Sequence, residues 1–303
     1  MLFNNPFKKD GNWYKGAIHV HTTNSDGRLS PREAIKLYKK YGYDFMVITE
    51  HGKIFDYSSL STPDFLLING VEYGVGEMTN GISYHIVAID VPADLKLKND
   101  KSTQSVIDQI RSAGGEAIIA HPYWYGMNLI DLIRLKNYIG IEVFNWGCEG
   151  DIGGGRGLSS VHWDGVLSAG HRVFGFAVDD VHYYTYDVAG GWIMVKAPEL
   201  TKEDIMEAIR KGEFYSSSGP KVLNLEVSEE RIRLECDGAR FINFVTIPTV
   251  GKRLDAEGNK PLTYCEVDVS KDLFFGGKPR GYIRIELENN EGKRCWLNPI
   301  FLD

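Results

Sequence analysis

The chain has 303 residues, 43% of them hydrophobic and 25% charged, with a formal net charge of −7, the profile of a soluble globular protein with room for one large α/β barrel or a barrel plus a smaller module. The acidic balance argues against an extended nucleic-acid surface, which needs clustered Lys and Arg, and leaves open only a short oligonucleotide in a cleft. No apolar run reaches the length of a signal peptide or a membrane span, and Cys148, Cys236, Cys265 and Cys295 form no Cys-x-x-Cys pair, which points to a cytoplasmic chain with buried, reduced thiols.

The first informative stretch runs from Gly16 to Gly27. Ala17, Ile18 and Val20 have strand character, so His19 and His21 project from one face of an extended backbone. Asp26 follows in a polar turn favoured by Asn24, Ser25 and Gly27. Two imidazoles and a carboxylate suit Zn, Mn or Fe, although a His-x-His pattern by itself also describes a pair of surface or core histidines. Ser30-Pro31-Arg32-Glu33 is a capping-box start, and Ala34, Leu37, Tyr38 and Tyr41 continue at helical spacing until Gly42 stops the helix. Phe45 to Ile48 is a strand that ends in Thr49-Glu50-His51-Gly52, giving a β-α-β unit. Phe65 to Ile68 is a third apolar run, followed by Gly70-Val71-Glu72, and Ser83 to Ile89 is a fourth, containing His85.

A helix through Val106, Ile107 and Ile110 stops at Gly114-Gly115, and Ala117 to Ala120 leads into His121-Pro122. Ile141 to Phe144 is the next strand, carrying Glu142 and ending in Asn145, before a long glycine-rich loop from Gly147 to Gly157 that contains Arg156. Trp163, Val166 and Leu167 mark another helix, and Val173 to Val178 ends in Asp179-Asp180-Val181-His182. Trp192 to Val195 and a capped helix from Thr201 to Lys211, stopped by Gly212, complete this set. Short apolar strands alternating with helices, each strand followed by a functional group, predict an α/β barrel with a mainly parallel sheet. From Phe214 onward the pattern changes to short strands (Leu223 to Val227, Arg231 to Glu235, Phe241 to Ile247, Tyr282 to Leu287) separated by Gly, Asn and Asp turns, the pattern of a small β-sandwich. The predicted division is therefore 1–212 for the barrel and 213–303 for the β module.

Of the eight histidines, His19, His21, His51, His85, His121 and His182 lie within or just after a predicted strand, leaving His162 and His171 elsewhere and none in the β module. One by one, His85 reads equally as a core histidine, His121 as a strand-terminating residue and Asp180 as a cap. Their accumulation at one end of one sheet points to a metal site. Arg156 would grip a phosphate through paired hydrogen bonds, or would be an exposed loop arginine without a role.

These motifs together resemble the polymerase and histidinol phosphatase (PHP) domain over residues 16 to 195. His19-x-His21 with Asp26, Thr49-Glu50-His51, Gly70-x-Glu72 with His85, Ala120-His121-Pro122 and Asp180-x-His182 are similar to its successive motifs, with Glu50 standing where the family more often has Asp. The resemblance implies a distorted seven-stranded α/β barrel and a metal-dependent phosphoesterase. It implies two or three divalent transition-metal ions (Zn, Mn or Fe) held by nine ligands. Glu72 would bridge two ions completed by His19, His21, His85, His121 and Asp180, while Asp26, His51 and His182 would hold the third. The expected reaction is hydrolysis of a small phosphorylated substrate by a metal-bridging hydroxide, with Glu72 and Arg156 as the catalytic pair. A nuclease on short single strands and a non-catalytic metal- or ligand-binding module are the alternatives.

Overall fold

A computed structural model describes residues 1–97, 102–150, 152–258 and 260–302. The first helix, α1 (Pro31–Lys40), begins at the predicted cap: Ser30 N donates to Glu33 Oε2 at 2.9 Å, and Glu33 N donates back to Ser30 Oγ. It ends at Gly42, whose φ of 74° no β-carbon residue adopts without strain. Helices α2 (Thr103–Ser112), α3 (Leu129–Ile133), α4 (Trp146–Glu149), α5 (Ser160–Ser168) and α6 (Lys202–Lys211) follow. The segment from Gly147 to Gly157 opens in α4 and then turns; its residue 151 lies outside the described residues.

The strands that position the site are β1 (Asn12–Ala17), β2 (Phe45–Ile48), β3 (Leu66–Val75), β4 (Tyr84–Ile89), β5 (Glu116–Ile119), β6 (Gly140–Asn145) and β7 (Phe174–Val178). They are neighbours in that order within one large sheet. Pairing is parallel throughout except at β4, which runs antiparallel to both β3 and β5. Regular strand geometry in β1 stops at Ala17, before the two histidines, yet the chain stays tied beyond it. Val20 forms a parallel bridge with Val181, and His21 N donates to Val181 O at 3.1 Å. On the other side Val20 N donates to Thr49 Oγ1 at 3.1 Å. The ends of β1 and β7 therefore meet, and the sheet curves back on itself around a core that includes Ile18, Phe45, Val47, Val87, Ile118 and Phe176, all fully buried or nearly so.

The sheet continues past β1 into β8 (Trp192–Ala197) and β9 (Phe214–Ser217), both antiparallel to their neighbours. The C-terminal part comprises β10 (Val222–Val227), β11 (Arg231–Ala239), β12 (Phe241–Val245), β13 (Gly251–Asp255), β14 (Leu262–Asp268), β15 (Gly281–Glu288), β16 (Arg294–Leu297) and β17 (Ile300–Leu302). Of these, β13, β14, β16 and β17 were not predicted from the sequence. Strands β10, β11 and β14 form a separate three-stranded sheet, and its Leu225, Ile232, Leu234 and Val267 share one buried cluster with Ile242, Phe244, Ile283 and Ile285 of the large sheet. Through β9 paired with β16 the large sheet runs without a break from strands β1 to β7 into this region.

Strand β15 is buried on both faces. Ile283, Ile285 and Leu287 point into the C-terminal core, whereas Arg284, only 2% exposed, reaches α5 and binds both oxygens of Asp164 at 2.6 Å, with Glu286 accepting a further bond at 2.9 Å. Removing one partner of such a buried network strands the other charge. Arg284→Ala is accordingly expected to lower the unfolding free energy by about 3 kcal/mol, measured as a shift of the urea midpoint at unchanged slope.

Candidate metal centre

Each predicted ligand is carried by strand β3 or β4 or by a segment that follows β1, β2, β5 or β7. Beyond β1, His19 and His21 turn their Nε2 atoms toward one another at 3.0 Å. Glu72 on β3, 1% exposed, stands at the centre: its Oε2 lies 3.2 Å from His19 Nε2, 3.2 Å from His21 Nε2 and 3.1 Å from His51 Nδ1, and its Oε1 lies 2.6 Å from His85 Nδ1 and 3.1 Å from His121 Nε2. Asp180 Oδ1 is 3.2 Å from His19 Nε2 and 3.3 Å from His21 Nε2. Nearer the mouth, Asp26 faces His51 at 3.4 Å, His182 at 3.5 Å and His21 at 3.8 Å. Eight of these residues fall into three overlapping groups whose potential donor atoms lie within 4.8 Å of one another: His21, Asp26, His51 and His182; His19, His21, Glu72 and Asp180; His51, Glu72 and His85. His121 joins through Glu72.

The surroundings fix which atom of each side chain faces inward. His19 Nδ1 donates to Glu142 Oε1 at 2.6 Å, leaving Nε2 for the centre, and Glu142 Oε2 accepts from His121 N at 2.7 Å and Asn145 Nδ2 at 2.9 Å. This carboxylate–histidine pair is the arrangement that sets the tautomer of a metal-ligating imidazole. Tyr125 donates its hydroxyl to His85 Nε2 at 3.1 Å. Glu50 is no ligand. It accepts from Thr22 N at 3.1 Å, from the hydroxyls of Thr22 and Ser25, and from Tyr57 at 3.0 Å, so it folds the turn that carries Asp26. That turn is tight enough that any β-carbon on Gly27 would collide with the His21 carbonyl. Asp179, beside Asp180, accepts from Tyr38 and from the backbone N–H groups of Ala189, Gly190 and Gly191; burial pushes its carboxyl up to about 6. Asp187 accepts from the N–H groups of His182, Tyr183 and Thr185, so the segment 182–191 is pinned at both ends.

Electrostatically the centre calls for cations. Glu72, Glu142 and Asp180 are all buried, and no Lys or Arg is among the described residues lining the cavity of about 220 Å³ that opens onto them. Burial opposes charge on His19, but Asp180, Glu142 and Glu72 outweigh it and raise its pKa well above the usual histidine value; His21 is carried up to about 9 by Asp180 and Glu72 against the same burial. Glu72 is held well below the usual carboxylate range, burial being overcome by His19, His121 and His21. Asp180 Oδ1, His21 Nδ1 and His121 Nδ1 are buried without a hydrogen-bond partner. A cation about 2.0–2.1 Å from four tetrahedral donors leaves those donors about 3.3–3.4 Å apart, and the His19, His21, Glu72 and Asp180 contacts of 3.0 to 3.3 Å lie close to that spacing. The residues therefore fit a metal. Backbone strain concentrates here too, with φ of 31° at His121 and 53° at Asp180.

Arg156 does not join the group. It is exposed, its Nε donates to Gly153 O at 2.9 Å, and it is absent from the cavity lining. Glu142, Asn145, Asp179, Asp187 and Tyr125 support the site without having been assigned a role from the sequence. For Glu142 a signal existed: a carboxylate in an otherwise apolar strand beside the one that ends at His121. Cys148 also lines the cavity, but burial and the neighbouring carboxylates raise its pKa strongly, which keeps the thiol protonated and unreactive.

The fold and site together define a mixed α/β protein with a parallel-rich sheet and a clustered His/Asp/Glu centre of metal-binding type. Over 95% of its length this chain superposes on 94% of a two-domain protein from Bacteroides vulgatus described as containing a predicted PHP-like metal-dependent phosphoesterase, with a TM-score of 0.51 and 16% identity. The chain thus has the fold of a PHP-like protein, along both of its parts. A lesion-specific endonuclease from Pyrococcus furiosus aligns more distantly, with a TM-score of 0.43 and 13% identity over 66% of this chain and 56% of that one. An uncharacterized protein of Methanocaldococcus jannaschii is 28% identical over 151 residues, 43% of this chain and 81% of the relative. No protein-family model matches the chain. Among the described residues no helix is long and apolar enough to cross a membrane.

Proposed function

We propose that this protein is a metal-dependent phosphoesterase of the PHP type that hydrolyses a small phosphate ester, and that His19, His21, Asp26, His51, Glu72, His85, His121, Asp180 and His182 hold two or three divalent transition-metal ions. Strands β1 to β7, tied by the Val20–Val181 bridge, are read as the distorted seven-stranded barrel, with residues 213–303 as a β module sharing its sheet. The observation that carries the reading is the convergence of five imidazoles on Glu72 at a cavity with no Lys or Arg among its described lining residues. Imidazole and carboxylate donors favour Zn, Mn or Fe over Ca or Mg, and such ions, when bound, supply an activated water at neutral pH and neutralise the phosphoryl oxygens.

The protein's own contribution is orientation and exclusion. Glu142 and Tyr125 hold His19 and His85, and the aspartate-pinned segment 182–191 presents His182. No serine, threonine or reactive cysteine stands among the cavity-lining residues described, so that lining offers no aliphatic hydroxyl or thiol nucleophile. The reading of a cytoplasmic enzyme rests on four free, buried cysteines, which suit a reducing compartment.

The test is elemental analysis of protein purified without chelator, joined to a panel of phosphomonoesters, phosphodiesters and short oligonucleotides. Two or three ions per chain and chelator-sensitive hydrolysis are expected. Fewer than one ion, with none taken up on addition, would remove the multinuclear reading; faster cleavage of oligonucleotides than of small esters would make the enzyme a nuclease; a fully metallated protein inert toward every ester would be a binding module.

A further inference from the structure

Resting on the phosphoesterase reading, we propose that the cavity selects esters whose leaving group carries a planar aromatic ring, seated by Trp124 and Tyr125 after β5 and by Tyr183 and Tyr186 after β7. All four line the cavity, as does Ile152, which is 51% exposed. Four aromatic rings and an isoleucine gathered around one charged cavity form an apolar wall of the kind that receives the apolar part of a ligand. Tyr125 spends its hydroxyl on His85, but Trp124, Tyr183, Tyr186 and Ile152 belong to none of the candidate metal groups among the described residues.

These rings are set in place before any ligand arrives. Trp124 packs on His121 at 5.2 Å and on Tyr125 at 5.0 Å, while Tyr183 and Tyr186 stack at 5.5 Å with their planes 26° apart. The Arg28 guanidinium lies 4.3 Å from the centre of the Tyr183 ring, and Arg28 N donates to His182 O at 2.8 Å. Asp187 holds the backbone between them. Preorganised aromatic faces give up little entropy on binding a flat ring, and stacking of this kind is sequence- and substituent-tolerant. Among the described residues the lining holds no Lys or Arg, and the Arg28 guanidinium lies against the Tyr183 ring. An aryl group and a nucleobase share the required chemistry.

The experiment compares benzyl, cyclohexylmethyl and n-butyl phosphates, whose leaving alcohols are similarly basic, with a nucleoside monophosphate, on the full-length metallated chain. KM for benzyl phosphate should be about tenfold below that for the cyclohexylmethyl ester. Tyr183→Leu and Trp124→Leu, checked for unchanged metal content, should each bring that ratio toward one. A nucleoside monophosphate preferred over the benzyl ester would identify the ring as a nucleobase, and the reverse a simple aryl group. Equal kcat/KM for benzyl and cyclohexylmethyl esters, or a preference that survives both substitutions, would overturn the proposal while leaving the hydrolase intact. Calorimetric binding of phenylphosphonate against methylphosphonate separates the two readings: tighter phenylphosphonate binding without turnover of any ester would keep the aromatic seat and remove the hydrolase, and neither binding nor turnover would remove both.

Discussion

Glu72→Gln is expected to cost most of the bound metal and on the order of 10³-fold or more in kcat/KM, because several kcal/mol of ion-dependent stabilisation depend on its charge. The reason is position: one buried carboxylate faces His19, His21, His51, His85 and His121 at 2.6 to 3.2 Å. Glutamine keeps the volume but replaces one oxygen by a donor amide, which points N–H groups at atoms that must themselves donate electron pairs. The comparison is His162→Gln, whose Nε2 contacts Met127 O at 3.0 Å away from the cluster and which should keep its metal. Equal metal loss in the two variants, read by elemental analysis, would show that Glu72 is not the hub.

The second large effect is expected at a residue that touches no proposed ion. Glu142→Gln should weaken metal affinity by about 10–100-fold, as loss of a partner behind a ligating histidine does. Glu142 is 1% exposed and engages His19 Nδ1, the His121 backbone N–H and Asn145 Nδ2 together. Losing its charge weakens the hold on the His19 tautomer and frees the turn that places His121. Chelator competition measures the affinity, and far-ultraviolet circular dichroism checks that the fold is kept. Unchanged affinity would reduce Glu142 to a core residue.

The candidate site was legible in the sequence to the extent that most of its residues follow an apolar run, a placement that such runs and their breaks encode locally. His19, His21, His121 and Asp180 were readable for this reason, as was Glu72 after the run Phe65 to Ile68, although β3 (Leu66–Val75) continues past it; the structure brings the five within contact of one another. Strand direction was less legible because periodicity does not encode it. The reversal at β4 stayed hidden because the apolar runs Phe65 to Ile68 and Ser83 to Ile89 leave 14 residues between them, room for a parallel crossover, whereas β3 extends to Val75 and only residues 76–83 join it to β4. The supporting carboxylates were harder: Glu142 and Asp187 act through backbone N–H groups and rings that come near only in the folded chain. For Arg156 the surrounding glycines left two readings, a phosphate grip and an exposed loop arginine; in the fold its Nε turns back to Gly153 O.

The meeting of the β1 and β7 ends gives the ligand set a second consequence. His19 and His21 follow β1 and Asp180 and His182 follow β7, yet Asp180 Oδ1 lies 3.2 Å from His19 Nε2 and His182 O accepts from Arg28 N at 2.8 Å. Any ion shared by His19 and Asp180 is a cross-link closing a loop of about 160 residues, and in the chain-entropy treatment used for disulfides such a link withholds about 5 kcal/mol of freedom from the unfolded chain. Metal at this seam would work as a removable staple, making the cohesion of the β1–β7 sheet a function of metal supply as well as of its sequence.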